Sequence, residues 1–387
     1  MEERERFPTV RGKTSPVLLY ACPYQEKKGR VNMKKSRQGG PVRDIAVDLG
    51  TATTLIAVRG RGILLREPSI AAVDRHTGKV LAAGREARRL MERDTDRVLV
   101  LRPLGAGIVR DLNLTEAMLE LFLRQVLPGR MLKPRILIGV PTGISQAGER
   151  SLVEAGSRAG AGKVWLMEAP LAAALGAGLD PEEPKGRLVV DVGGGVTDIA
   201  VIGLGKVIAS DCLTTAGDAF DRALIRFVRE EHGVLIGRRS AEMLKFSAGR
   251  LSGDEGDGEE TVSVNGRCLT TGLPRGVSLS PAESARALDP VTQGLTQAVL
   301  ELLERTPAQL AADIRTEGIL LTGGGSKLCG LDGLLAEKTG FPVVRAEDPE
   351  GAVVLGLEKS LPALSRRQAG VLDLARRRTV AGEDWTE

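Results

Sequence analysis

Aromatic residues make up only 3% of this 387-residue chain, and histidine occurs twice, at His76 and His232. So few aromatic faces argue against a stacking platform for single-stranded nucleic acid. Cysteine is scarce too: Cys22, Cys212, Cys268 and Cys329 lie far apart without paired spacing. That scatter argues against a disulfide framework and against a Cys/His zinc site. No charge of one sign dominates, because 54 basic and 50 acidic residues leave a net charge of +4. The charge balance therefore asks for no nucleic-acid partner. No apolar run is long enough to span a bilayer, and no signal-peptide core opens the chain. The cytoplasm is the expected compartment.

What the chain does have is 42% hydrophobic residues, enough for substantial cores. Its length fits two domains or one large bilobed one. Apolar strand-like runs such as "RDIAVDLG", "TTLIAVRG", "RILIGVP" and "KVWLMEAP" alternate with helical patterns such as "TEAMLELFLRQVL", "AGERSLVEAGSRAGA" and "DAFDRALIRFVREEHG". This order predicts an α/β fold. The stretch "SGDEGDGEETVSVNGRCLTTGLP" reads as a charged, irregular insertion, and "DPVTQGLTQAVLELLERT" as the helix after it.

The most informative segment is "VVDVGGGVTDIAV", residues 189–201, a buried strand that runs into three glycines with Asp191 before them and Asp198 after. Glycines at a strand exit point to a tight turn, a close backbone approach, or a ligand that touches main-chain N–H groups. An ordinary hairpin would explain one such turn. A related stretch, "DIAVDLGTATTLIAV", lies near the start, and Asp48 to Val58 aligns on Asp191 to Val201 without a gap. Asp48/Asp191, Gly50/Gly193, Thr54/Thr197, Ile56/Ile199, Ala57/Ala200 and Val58/Val201 are identical. The repeat predicts a duplicated core with two facing turns. Between them an anion can be held by backbone N–H groups while the aspartates hold its metal through water. A third strand–glycine–helix turn, "GILLTGGGSKLCGLDGLLAEKTG", carries Gly323, Gly324 and Gly325, bare backbone on which a base or sugar can lie.

These motifs resemble those of the actin-like ATPase superfamily. "DLGTATT" is similar to its first phosphate motif, "DVGGGVTD" to the second and "GILLTGGGSKLCGL" to the adenosine motif. Within it the chain resembles the MreB/Mbl family over roughly residues 43–362. The segments "EPSIAAVDRHTGKVLAAGREARRL", "VPTGIS", "MEAPLAAALGAGL", "TTAGDAFDRALI", "LIGRRSAEMLK" and "TPAQLAADI" fall in the family's order. The resemblance implies a bilobed actin-like ATPase fold of two duplicated RNase H-like domains, with a nucleotide cleft between them. It implies ATP and Mg²⁺ as cofactors, self-assembly into filaments, and a role in cell shape and wall synthesis beside envelope morphogenesis proteins. Carried over by position, Asp48, Gly50, Thr51 and Thr53 line the phosphates from one side, and Asp191, Gly193, Gly194, Gly195 and Thr197 from the other. Asp48 and Asp191 face Mg²⁺ through water, Asp191 also being the catalytic candidate. Gly323, Gly324 and Gly325 border the adenosine, and Glu242 and Lys245 approach base and ribose. The expected organisation is an N-terminal extension over 1–42, one lobe over 43–184, a second over 185–340 with an inserted subdomain at about 237–290, a return to the first over 341–362, and a basic tail over 363–387.

The departures from the family bear on chemistry. Where the family places a water-orienting Glu before the proline of "EEP", this chain reads "MEAP", with Ala169 at that place and Glu168 one residue earlier. A methyl group neither accepts a proton nor aligns water, so hydrolysis is expected to be slow, with Glu168 a partial substitute only if the turn shifts, since neighbouring residues on an extended segment point to opposite faces. "GAG" puts Ala106 where the family has an acid, and Thr53 stands where asparagine is usual. The loop "VLPGRMLKPRI" is similar to the family's membrane loop at 127–135. There Leu127, Met131 and Leu132 would insert while Arg130, Lys133 and Arg135 meet anionic lipid on the inner face of the cell membrane. The polar first forty residues read as disordered, with translation expected to start at Met33. The tail "SRRQAGVLDLARRR" reads as a solvated, partly helical extension. Two alternatives stand beside a filament: a non-polymerising ATP-binding membrane adaptor, and a chaperone-like ATPase.

Overall fold

The computed structural model describes residues 44–94, 96–127, 133–247, 249, 251, 261–366 and 375–378. Two mixed sheets share one plan. In the first the strands run in the order Ala375–Arg378, Lys163–Glu168, Arg135–Val140, Asp44–Leu49, Thr53–Val58, Gly62–Pro68. In the second the order is Lys206–Leu213, Thr197–Gly203, Arg187–Val192, Ile319–Thr322, Val343–Arg345. Each centres on an antiparallel hairpin whose first strand also pairs, in parallel, with a later strand. The register matches as well. Asp48 stands opposite Leu55 and Asp191 opposite Asp198, each at the end of its strand and just before its glycine turn.

The central strands read as continuous apolar runs because both faces are covered. One face of the first sheet packs Ile45, Val47 and Ile56 on Met118, Phe122 and Leu123 of the helix Leu112–Val126. One face of the second packs Val190, Ile199 and Val201 on Phe220, Leu224 and Val299. The opposite faces meet in one shared core, where Ala46 and Ala57 from one sheet and Val189 and Ala200 from the other surround the helices Ala169–Gly176 and Ala352–Arg366. Those two helices cross backbone to backbone. A Cβ at Gly176 would strike the Ala352 carbonyl, and one at Gly356 the Ala172 carbonyl.

Several elements differ from the sequence reading in extent. The helix predicted from Thr115 starts at Leu112, because Asp111 accepts the Leu114 amide as an N-cap. The helix predicted from Asp289 starts at Pro281 and continues through Pro290, started by a capping box between Ser280 and Glu283. The insertion read as irregular contains an antiparallel hairpin, Val262–Cys268 with Pro274–Leu279, which joins Val234–Leu235 in a small sheet. Its inward residues Val264, Val277 and Leu279 enter the second core. In the tail, residues 375–378 form an edge strand antiparallel to Lys163–Glu168. Among the described residues, no helix is long and apolar enough to cross a membrane.

Candidate functional site

The first turn is pinned from beneath. Ser69 donates its hydroxyl to the Gly50 carbonyl at 2.6 Å and pairs with the Thr54 hydroxyl at 2.8 Å, while its amide donates to the Ala52 carbonyl at 2.9 Å. The second turn closes on itself, Gly193 N–H to Val196 carbonyl at 2.9 Å. It is then gripped by the start of the helix Gly217–His232. The Gly217 and Asp218 amides donate to the Gly193 and Gly194 carbonyls at 3.1 and 2.7 Å. The two turns touch. A Cβ at Gly194 would lie 2.5 Å from Ala52 Cβ, and one at Gly195 2.5 Å from Thr51 Oγ1. Glycine is required here by the approach of the opposite turn.

The third turn joins them at Asp191. Gly323, at φ +82°, sits against Asp191 Oδ1 and the Val192 carbonyl, and Gly325 against the Val192 side chain. Pro349 holds this turn, its carbonyl accepting from the Gly323 amide at 2.8 Å and the Thr322 hydroxyl at 2.9 Å. The sequence places the three glycine turns far apart; the fold brings them to one point.

Carboxylates gather there. Burial pushes the Asp48 carboxyl up to about 7. Asp191 is raised well above the carboxylate range, by burial first and then by the charges of Asp198 and Asp48. Asp198 is pushed up to about 6 by burial and by Glu168. The Thr142 hydroxyl and amide, donating to its Oδ1 at 2.8 and 2.9 Å, and the Cys212 thiol oppose that shift. Cys212 is exposed as a residue, yet its sulfur faces this carboxylate, and burial with the Asp198 charge pushes the thiol up to about 12. Among the described residues, no cluster of three or more His, Cys, Asp or Glu forms a direct metal cage. Two buried carboxylates, Asp48 and Asp191, with the Asp48 charge raising Asp191, fit the other mode, a Mg²⁺ held largely through water and a ligand's phosphates.

The remaining predicted residues fall as follows. Thr51 is buried and its hydroxyl accepts the Gly107 amide at 3.1 Å, whereas Thr53 is half-buried at the start of its strand. Thr197 is fully buried with its hydroxyl donated to the Thr215 carbonyl at 2.6 Å. Lys245 is buried and paired with Asp221 at 2.8 Å, so its charge is already engaged, and Glu242 is exposed. Gly324 faces the Glu350 side chain. Glu168 ends its strand and Ala169 opens the next helix, with Pro170 following. Ala106 holds φ +51°, a region unfavourable for residues with a Cβ. Leu127 ends the helix Leu112–Val126 and packs on the first core, while Met131 and Leu132 lie outside the described residues.

Sequence reasoning missed three contacts: Thr142 on Asp198, Cys212 beside it, and the ion pair of Arg102 with Asp218 at 2.7 Å. Each links residues distant in the chain, and only the quoted "VPTGIS" hinted at Thr142.

A family model described as MreB/Mbl protein matches residues 42–369. The cell shape-determining protein Mbl of Bacillus subtilis is 43% identical over 315 residues, covering 81% of this chain and 94% of that protein. The cell shape-determining protein MreB of Escherichia coli is 42% identical over 335 residues, covering 85% and 96%. Among solved structures, MreB5 of Spiroplasma citri bound to AMPPNP superimposes with a TM-score of 0.79 at 30% identity, over 85% of this chain and 98% of that one. A MamK double helical filament gives 0.69 at 20% identity over 82% and 98%, a likeness of fold.

Proposed function

The chain belongs to the MreB/Mbl family of cell shape-determining, actin-like proteins, and from that premise we propose that it binds ATP with Mg²⁺ where its three glycine turns meet. The observation that carries this reading is the contact of Gly194 with Ala52 and Gly195 with Thr51, beside Asp48 and Asp191. Turns this close present backbone donors to a phosphate chain from two sides, and the paired acids supply the charge that a hydrated cation neutralises. The relative from Spiroplasma citri was solved with AMPPNP and with ADP, which supports a nucleotide here. Asp48, Gly50, Thr51, Thr53, Asp191, Gly193 to Gly195 and Thr197 are its phosphate side, and Gly323 to Gly325 with Glu242 and Lys245 its adenosine side.

The protein then polymerises into filaments on the cytoplasmic face of the membrane and helps organise wall synthesis together with envelope proteins. Its hydrolysis is slow because Ala169 offers no carboxylate. One subunit anchors weakly through Met131 and Leu132, at about 1.5–3 kcal/mol for each buried side chain, with Leu127 adding less because it already packs on the first core, and a filament multiplies weak anchors. Electron microscopy and flotation of the purified protein with ATP, Mg²⁺ and anionic liposomes test the whole reading. Filaments on vesicles are the expected result. ATP-dependent stabilisation without sedimentable filaments would favour a non-polymerising adaptor, and an unchanged melting temperature in saturating ATP·Mg²⁺ would refute nucleotide binding.

A further inference from the structure

One carboxylate ties the third glycine turn to the first sheet. Arg66 lies on the strand Gly62–Pro68 opposite Leu55, which in turn stands opposite Asp48, so it shares a row of that sheet with the acid of the first turn. Its guanidinium donates to Glu350 Oε2 and, at 2.8 Å, to Asp348 Oδ2. The other oxygen of Glu350, Oε1, takes the Lys327 ammonium at 3.2 Å. Lys327 ends the short 3₁₀ turn that begins at Gly324, and a Cβ at Gly324 would lie 3.4 Å from Glu350 Cγ and Oε1. Glu350 therefore gives one oxygen to a strand of the first sheet and one to the turn that leaves the second, beside the bare backbone assigned to the adenosine.

We propose that Glu350 is a positioning residue for nucleotide binding, a clasp that holds the Gly323–Gly325 turn to the first sheet and sets how fast a bound nucleotide leaves. A ligand that touches all three turns is released when they part. Steric contact at Gly194 and Gly195 limits how closely the first two turns approach, but it does not pull them together. Attraction across the gap includes Thr142 on Asp198 and Arg102 on Asp218 at the phosphate side, and Glu350 at the adenosine side. The clasp side chains of Arg66, Glu350 and Lys327 are 34%, 29% and 38% exposed, open enough for salt to weaken their pairing. The clasp is a yielding link, which suits control of exchange.

The inference rests on nucleotide binding in the cleft, so the test reads association and release separately. The full-length protein is loaded with a fluorescent non-hydrolysable ATP analogue and Mg²⁺, then chased with excess ATP at low and at high KCl. Glu350→Gln keeps the shape and one acceptor oxygen but loses the charge. At low salt its dissociation rate is expected to rise about 2- to 30-fold, the factor that two partly solvated pairs supply, with the association rate unchanged. Salt acts on the analogue's phosphates equally in parent and variant. Release from the parent should therefore quicken with KCl more steeply than release from Glu350→Gln, a difference that a merely structural role would not produce. Lys327→Gln should raise the rate by less and add nothing in the Glu350→Gln background, because both changes break the same tie; it also serves should Glu350→Gln fail to fold. Parent-like release in either variant, equal salt slopes, or additive effects of the two changes overturn the proposal. Failure of the parent to bind the analogue would instead refute the reading of the cleft.

Discussion

Replacing Gly194 with alanine tests whether the contact between the two turns sets nucleotide affinity. The new Cβ would lie 2.5 Å from Ala52 Cβ and 3.3 Å from the Ala52 amide nitrogen. Carbon atoms pack best at about 3.5–4.0 Å, so the turns must separate by roughly 1 Å. Ala52 has no rotamer with which to yield, and its carbonyl is tied to the Ser69 amide. Overpacking of this kind costs about 1–3 kcal/mol. If a phosphate chain bridges both turns, the same energy is lost from binding, and Kd rises about 5- to 150-fold. Titration of a fluorescent ATP analogue measures it directly. The compensating variant Gly194→Ala with Ala52→Gly removes the opposed Cβ and should recover most of the affinity, a coupling that only contacting sites show. A single variant that binds as tightly as the parent would refute the argument, as would a double variant that recovers nothing.

Three further outcomes are expected. Met131→Ser with Leu132→Ser should release the protein from anionic liposomes in flotation without changing nucleotide affinity; unchanged flotation would move the anchor elsewhere, to the basic tail. Ala169→Glu should raise single-turnover hydrolysis by up to about 10²–10⁴-fold at constant ATP affinity, and a parent already as fast as this variant would sink the claim that the missing carboxylate slows turnover. Asp48, raised by burial to about 7, binds its proton more tightly folded than unfolded, so its contribution favours the folded state at low pH and is lost as pH rises from about 4 to about 7. In denaturant melts without nucleotide or Mg²⁺, the stability gained by Asp48→Asn over the parent should therefore grow across that window; a gain that is constant with pH would refute the burial of this carboxylate.

The three glycine turns were legible because each is local: a strand, its acid and its glycines fall within about ten residues, and the repeat of Asp48 to Val58 in Asp191 to Val201 is visible in the chain itself. The family was legible for the same reason, through short motifs in fixed order. What escaped depends on distant partners. The buried pair of Lys245 with Asp221, 24 residues earlier, leaves no mark in the local sequence. The hydroxyl of Thr142 finds Asp198 across 56 residues. The hairpin Val262–Cys268 with Pro274–Leu279 was hidden by its charged and glycine-rich surroundings. Its strand signal is a weak alternation, Val262 and Val264 against Val277 and Leu279, and becomes decisive only when a core receives one face.

The contacts among the turns form a closed mechanical path, and magnitudes decide which link matters. Ala52 meets Gly194; the Gly194 carbonyl accepts from the Asp218 amide; the Asp218 carboxylate pairs with Arg102; and the strand Val98–Leu101 ahead of Arg102 belongs to the small sheet built on Ala71–Asp74, which follows the first hairpin. The Arg102 pair is partly solvated, with side chains 32% and 20% exposed, and pairs of that kind contribute about 0–1 kcal/mol. The packed turns resist displacement more strongly, since a single methyl between them costs about 1–3 kcal/mol. Steric contact at Gly194 and Gly195 therefore fixes how closely the turns approach, while Arg102 only biases the orientation of the helix Gly217–His232 that grips the second turn. A ligand seated between the turns would act on the stiff link first, and the helix would follow because its first two amides are bonded to the turn that moves.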